Sequence, residues 1–290
     1  MQDADAGFIG LGAMGGPMAG HLAAAGRLAR VGNRSPGKAQ ALAAQLHVAA
    51  ATAAEGFAGC RVVMLCVGED RDVLENVDAL SAVLQPGSLI IDHSTVSVDT
   101  AREAARRLRE RDIDFLDAPV SGGVEGARNG RLSIMVGGEA DVLARAEPYL
   151  SCYAARIAHM GAQGAGQATK AVNQVMVAGI NEAVCEALAL GEQLGLSADR
   201  LLPTLMAGAA SNWFLDKRGA TLLRSEFTPG FKCAHMAKDL RIAEAMASDL
   251  GIEHPVLAQA RRDYVQLQAQ GHGDADTSAL ILLKRTARRT

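Results

Sequence analysis

Gly10-Leu11-Gly12-Ala13-Met14-Gly15 follows the apolar run Phe8-Ile9 and leads into an Ala-rich stretch ending near Ala25. Glycines at this spacing, between a strand and a helix, constrain the fold more than any other feature of the chain. The first permits a tight turn, the second lets the backbone come close to a ligand, and the third lets the helix pack on the strand. The helix N-terminus then presents unpaired N–H groups to an anion. In a chain with 31 glycines, a structural turn would read the same way. Its place near the N-terminus of a βαβ pattern favours a dinucleotide cradle built from Gly10, Leu11, Gly12, Ala13, Met14 and Gly15.

The alternation continues downstream. Val62–Val67, Leu89–Asp92, Phe115–Asp117 and Leu132–Val136 read as short strands. Near-continuous apolar runs mark strands covered on both faces, and intervening helices such as Lys38–Leu46 predict that they run parallel. This is an α/β, Rossmann-type doubly wound sheet. After Gly161 the strand pattern stops. Gly161–Gly166 reads as a flexible connection, and Gln167–Leu194 predicts one helix roughly 42 Å long at about 1.5 Å per residue. Further helices are predicted over 198–207, 212–223, 233–250, 256–270 and 278–288, broken by Pro229-Gly230 and Gly271–Asp274. The chain therefore divides into residues 1–161, a dinucleotide-binding domain, and residues 162–290, an all-α domain that begins with the long interdomain helix.

Composition bounds the function. A length of 290 residues fits two domains, and 49% hydrophobic residues exclude a disordered chain. No apolar run approaches the roughly 20 residues of a membrane helix, and Met1–Ala6 does not read as a signal peptide. A formal charge of −3 with 3% aromatic residues counts against a nucleic-acid surface. Five cysteines without a Cys-x-x-Cys pair fit reduced thiols in a cytoplasm. The seven histidines form no H-x-x-x-H pair and no compact Cys/His cluster, so no metal is expected.

About 20 residues beyond the glycines, an acidic residue would mark recognition of a ribose diol. Here the chain reads Val31-Gly32-Asn33-Arg34-Ser35-Pro36-Gly37-Lys38, without a carboxylate. Arg34 can clamp a 2′-phosphate, Ser35 can donate to it, and Lys38 adds a point charge. Ser35-Pro36 also reads as the N-cap and first residue of the next helix, with two solvated cations beside it. Both can hold at once, and NADP(H) is expected ahead of NAD(H).

Three later segments carry chemistry. In Asp117-Ala118-Pro119-Val120-Ser121-Gly122-Gly123 a strand gives way to a loop whose hydroxyl and amides suit a carboxylate; a Gly-rich connecting turn reads the same. Lys170 and Asn173 share a helix face, with Gln174 beside them. A lysine in a first helical turn sits against the positive end of the dipole, which disfavours its charge and suits an acid/base; a plain surface lysine is the ordinary alternative. Phe231, His235, Lys238 and Asp239 fall along one stripe if they share a helix, as they would on any amphipathic helix with one ion pair.

Gly7–Gly15, Asp117–Gly123, Lys170-x-x-Asn173 and Lys238-Asp239-Leu240 together resemble the signatures of the β-hydroxyacid dehydrogenases, in family order and across essentially the whole chain. That family includes 3-hydroxyisobutyrate dehydrogenase, tartronate semialdehyde reductase and the glyoxylate/succinic semialdehyde reductases. The resemblance implies a Rossmann domain joined by a long helix to a helical domain, an active site between them, and homodimers or homotetramers. It implies Lys170 as the catalytic acid/base, Ser121, Gly122 and Gly123 as the loop for a substrate carboxylate, and Asn173 as a second substrate contact. Thr95 matches a residue near nicotinamide and substrate, and Phe231 the wall that closes the site. Lys238 matches a cofactor-side contact, and Asp239 a partner that positions the lysine. Val67 and Asn33 complete the cofactor set. Gln174 stands where several hydroxyisobutyrate enzymes carry a second Asn, which is more like the tartronate semialdehyde reductase branch. Trp213 and Phe214 read either as pocket or as core. The expected reaction interconverts a short carboxylate-bearing aldehyde or keto acid and its hydroxy acid. A semialdehyde reductase of the tartronate or succinic semialdehyde or glyoxylate type is expected first; a 3-hydroxyisobutyrate dehydrogenase, an imine or other carbonyl reductase, or a non-catalytic NADP-binding scaffold would use the same fold.

Overall fold

The computed structural model describes residues 4–285. Contacts divide the chain into two compact units, Met1–Lys170 and Ala171–Thr290. The first contains, in order, β1 (Ala6–Ile9), α1 (Gly15–Ala24), β2 (Leu28–Gly32), α2 (Pro36–Leu46), β3 (Ala49–Ala51), β4 (Val62–Leu65) and α3 (Asp70–Ser81). It continues with β5 (Leu89–Asp92), α4 (Val98–Arg109), β6 (Asp114–Asp117), β7 (Val120–Ser121), α5 (Gly123–Arg128), β8 (Leu132–Gly137), α6 (Ala140–Leu150) and β9 (Ala154–Gly161).

These strands form one sheet in the order β3-β2-β1-β4-β5-β6-β8-β7, with β9 paired to β8. All pairs from β3 to β6 are parallel. The 3-2-1-4-5-6 run reverses direction between β1 and β4, and a doubly wound sheet binds its ligand at such a switch point, beyond the strand C-termini. The glycine hexapeptide leaves β1 at that end.

Burial explains the continuous apolar runs. In β4, Val62 and Met64 join the core on one face of the sheet while Val63 and Leu65 join the core on the other. Leu89 and Ile91 of β5 likewise separate from Ile90. The parallel expectation fails beyond β6, because β6 and β7 both pair antiparallel to β8. Gly122, Gly123 and Gly130 all have positive φ, and only the six-residue α5 intervenes before β8. So short a helix cannot carry the chain back across a sheet face, which a parallel connection requires.

α7 (Ala165–Gln193) starts in the first unit and continues into the second. The second unit then holds α8 (Ala198–Met206), α9 (Trp213–Leu223), α10 (Cys233–Asp249), α11 (Pro255–Leu267) and α12 (Ile281–Lys284). Its core gathers Cys185 and Leu188 of α7, Met236 and Leu240 of α10, and Leu257 and Tyr264 of α11. Asn181 Nδ2 donates to the Tyr264 hydroxyl at 2.9 Å, and that hydroxyl donates to the Thr277 carbonyl oxygen at 3.2 Å, so the buried phenol is satisfied. The helix predicted to reach residue 270 ends at Leu267, where a π-turn and Gly271 at φ +88° redirect the chain. The helix predicted over 278–288 is a 3₁₀ turn, Thr277–Leu280, followed by α12, and its last three residues lie outside the described part. Among the described residues no helix is long and apolar enough to cross a membrane.

Candidate active site

The three glycines of the hexapeptide have different causes. Gly10 lies at φ +96°, and a Cβ there would stand 2.1 Å from the Cys66 carbonyl oxygen. A Cβ on Gly15 would stand 1.9 Å from the Gly10 carbonyl oxygen. The chain itself therefore demands both. At Gly12 a Cβ would meet no protein atom within 4 Å, so packing of the chain does not explain the residue. The open space there is what close approach of a ligand to the backbone would need. The N-terminus of α1 carries no side-chain cap and no acidic residue in its first turn, which also fits an anion. Leu11 is buried and its N–H donates to Asn33 Oδ1 at 3.0 Å, tying the loop to the end of β2; Ala13 is exposed and Met14 half-buried.

Arg34, Ser35 and Lys38 are exposed beside this loop. The Arg34 side chain is 90% exposed, and its nearest carboxylate, Asp72 of α3, is 4.0 Å away. Ser35 occupies the N-cap of α2 with Pro36 following, as the capping reading requires, yet its side chain makes no cap hydrogen bond. At the ends of β4 and β5, Val67 N donates to Ser94 Oγ at 2.9 Å, with half-buried Thr95 next in the chain.

The Asp117–Gly123 segment begins at the buried end of β6. Asp117 Oδ1 accepts from Gly164 N at 2.8 Å and Oδ2 from Gln167 N at 2.9 Å, fastening the start of α7 to the sheet. Burial pushes the Asp117 carboxyl up, against the opposing pull of these N–H donors. Ser121 sits on β7 opposite Ser133 rather than in the loop, and the loop proper is Gly122 and Gly123 at φ +128° and +62°. Behind it, His93 Nδ1 lies 2.7 Å from the Ala118 carbonyl oxygen and Nε2 lies 2.8 Å from the Tyr153 hydroxyl. Burial pushes the His93 pKa down to about 4, so the ring is neutral, donating to Ala118 and accepting from Tyr153.

Lys170 is 8% exposed. Because α7 starts at Ala165, Lys170 stands in the second turn and not the first. The dipole effect falls off within the first turn, so the expectation built on the helix end does not carry over; burial and placement single out this lysine instead. Asn173 follows one turn later.

In the second unit, Asn173 Nδ2 donates to Gln174 Oε1 at 2.9 Å, and Gln174 Nε2 donates to Asp239 Oδ2 at 2.7 Å. Lys238 Nζ lies 3.2 Å from Asp239 Oδ1. The four side chains thus form one buried or half-buried relay. Phe231 departs from the single-helix expectation. It precedes α10, because Asp276 Oδ2 accepts from the N–H groups of Gly230 and Phe231 and holds them off the helix. Phe214 is core, whereas Trp213 is exposed with the Arg218 guanidinium 5.4 Å from its ring centre.

Residues 5–161 match the family of the NAD binding domain of 6-phosphogluconate dehydrogenase. Residues 164–283 match the family described as NAD-binding of NADP-dependent 3-hydroxyisobutyrate dehydrogenase. The chain is 36% identical over 278 residues to 2-hydroxy-3-oxopropionate reductase of Escherichia coli, covering 95% of each. It is 37% identical over 278 residues to an uncharacterized oxidoreductase of Shewanella frigidimarina, covering 94% of this chain and 96% of that one. The solved structure of Mycobacterium tuberculosis 3-hydroxyisobutyrate dehydrogenase with L-serine is similar at a TM-score of 0.88 and 35% identity, covering 98% of this chain and 100% of that one. The chain belongs to the β-hydroxyacid dehydrogenase family. As such it is an NAD(P)-dependent oxidoreductase.

In this β-hydroxyacid dehydrogenase the geometry makes prominent three residues to which the sequence motifs assign no role. Asp117 is the start of its motif, Gln174 the neighbour of Asn173, and Gln167 the first residue of the predicted helix. Asp117 and Gln167 act through backbone partners far away in sequence, at separations of 47 to 73 residues. Gln167 and Gln174 stand among the polar residues flanking Lys170, which is the one local sign of them; Asp117 has none.

Proposed function

We propose that this chain is an NADP(H)-dependent reductase of a short carboxylate-bearing aldehyde or keto acid, of the tartronate or succinic semialdehyde or glyoxylate type. The observation that carries the reading is the fastening of the helix that bears buried Lys170 to Asp117, the first residue of the Asp117–Gly123 motif that contains Ser121. One carboxylate thereby holds together the segments assigned to the acid/base and to the substrate carboxylate.

Gly10–Gly15 would hold the pyrophosphate of the cofactor, and Val67 and Thr95 would contact its nicotinamide end. When bound, NADPH supplies the hydride that the carbonyl carbon accepts. Ser121 and the N–H groups of Gly122 and Gly123 hold the substrate carboxylate, and a Ser hydroxyl with backbone donors does so without another full charge. Lys170 Nζ gives its proton to the carbonyl oxygen as that oxygen becomes an alkoxide, yielding the hydroxy acid; in reverse the neutral amine takes the proton back. Asn173 donates to the substrate, its amide held by Gln174, which Asp239 holds in turn. Phe231 and Lys238 keep the wall and cofactor-side roles that the family likeness gives them. Arg34, Ser35 and Lys38 favour the 2′-phosphate of NADP(H). Exposed Val172, Met176 and Leu190 on α7, with Val256 and Val265 on α11, support a homodimer or homotetramer.

Turnover of glyoxylate and of tartronate, succinic and methylmalonate semialdehydes, each with NADPH and NADH, tests the reading. At least one acid is reduced with NADPH preferred, and the matching aldehyde without a carboxylate is not. Equal turnover of aldehydes lacking the carboxylate would point to a general carbonyl or imine reductase.

A further inference from the structure

Gln167 is buried three residues before Lys170, and both ends of its side-chain amide are engaged. Nε2 donates to the Ser94 carbonyl oxygen at 2.8 Å, and Oε1 accepts from Val96 N at 3.2 Å. The residue between those two partners is Thr95. One side chain therefore grips the main chain on both sides of Thr95, while its own backbone N–H is bound to Asp117. Ser94 is fixed further by its N–H, which donates to Asp92 Oδ1 at 2.9 Å. The surroundings leave no slack. A Cβ on Gly137 would stand 2.5 Å from Asp117 Oδ1, and one on Gly166 would stand 2.5 Å from the Asp117 carbonyl oxygen.

A structural role alone asks only that a buried polar side chain find partners. Here the chemistry is more demanding, because the partners are one acceptor and one donor two residues apart. A neutral amide presents a donor and an acceptor from one planar end. A carboxylate would set an acceptor against the Ser94 carbonyl, and a cation would set donors against the Val96 N–H. We propose that Gln167 is a positioning residue for the reaction, clamping Thr95 in register with the Lys170 helix and the Asp117–Gly123 loop. The clamp's catalytic meaning rests on the reductase reading above, whereas the clamp itself is readable without turnover.

Gln167→Met keeps the length of the side chain and removes both hydrogen bonds; Gln167→Glu keeps the acceptor and removes the donor, and serves if the first variant folds poorly. In the full chain, hydrogen exchange at Val96 is expected to speed up about tenfold or more in Gln167→Met, with Ile90 and Ile91 of β5 unchanged. In the same variant kcat per bound NADPH falls about tenfold or more, while NADPH affinity stays within about threefold, because small displacements of positioned groups are costly in rate. Unchanged exchange at Val96 would refute the clamp. Faster exchange with kcat per bound cofactor within twofold of wild type would reduce Gln167 to packing and overturn the proposal. A wild-type chain that reduces none of the acids would sink the reductase reading itself, a result the exchange measurement keeps separate from loss of the clamp.

Discussion

Asp117, Gln167 and His93 are buried and spend their side chains on the main chain and, for His93, on the Tyr153 hydroxyl, whereas Arg34, Ser35 and Lys38 stand exposed beside the glycine loop. Both groups belong to the first unit, and the proposed reaction draws on Asp117 and Gln167 from the one and on Arg34, Ser35 and Lys38 from the other. The buried group has directional bonds of 2.7 to 3.2 Å in a tightly packed interior. The exposed group has a single ion pair at the 4.0 Å limit of contact. The difference separates two ways of using polar residues. Buried ones fix coordinates, so their loss is felt in rate and stability; exposed ones select charge, so their loss is felt in affinity and depends on salt.

The largest effect belongs to the buried side. Lys170→Ala is expected to lower kcat by about 10²- to 10⁴-fold, the usual worth of general acid–base catalysis, with NADPH affinity nearly unchanged. Pre-steady-state hydride transfer and fluorescence titration of NADPH measure the two separately. Turnover like that of wild type would remove Lys170 as the acid.

The glycine loop places both behaviours within three residues. Gly10→Ala combines a positive φ with a Cβ 2.1 Å from the Cys66 carbonyl oxygen. It should cost about 3 kcal/mol or more of stability. Gly12→Ala meets no protein atom within 4 Å, so denaturant midpoints should stay close to wild type while NADPH affinity drops about tenfold or more. If Gly12→Ala destabilises the ligand-free chain as much as Gly10→Ala, the separation between chain-imposed and ligand-imposed glycines is wrong.

His93 gives the buried side a pH signature. Its folded pKa of about 4 lies below the ordinary imidazole value. Above pH about 6.5 neither folded nor unfolded His93 is protonated, and it adds no pH dependence. As pH falls from there toward 4, the unfolded chain takes a proton that the folded chain refuses, and stability drops by at most about 3 kcal/mol. Urea unfolding at pH 7 and pH 4.5 should show a smaller acid loss in His93→Gln than in wild type. Equal losses would mean that other groups carry the acid sensitivity.

What the sequence made legible follows the same division. Strands β1, β4, β5, β6 and β8 were readable because burial on both faces leaves continuous apolar runs, and α7 was readable to within two residues at its start. β3 consists of three alanines and β9 carries Arg156 and His159 along a partly exposed edge, so neither has a local signature. Tertiary pairing, not propensity, makes them strands. In the candidate site, the glycines and Lys170 were visible as residue types at known spacings. The turn on which Lys170 sits was not, because the start of α7 is set by Asp117, 47 residues before Gly164. Phe231 fell off its predicted helix for the same reason, since the group that takes its N–H is Asp276, 45 residues later. Long-range bonds from side chain to backbone leave no periodicity to read.

The exposed side yields the smallest effect and the sharpest test of charge selection. Arg34 gains little from Asp72 at 4.0 Å, so removing it should cost the fold almost nothing. A guanidinium bound to a 2′-phosphate gains far more, even in water, because the bond is charge-assisted and can be bidentate. Arg34→Ala is therefore expected to raise KM for NADPH about tenfold, close to 1.4 kcal/mol, while KM for NADH changes less than about twofold. The wild-type preference should also shrink as ionic strength rises, since exposed charges are screened within about 8 Å at physiological salt. Lys38→Ala should act in the same direction but more weakly, because an exposed ammonium supplies a point charge without the planar fork. If Arg34→Ala leaves the NADPH/NADH ratio unchanged, Ser35-Pro36 is there to start α2 and the two cations beside it are merely solvated; cofactor choice would then have to be sought in the buried half of the site.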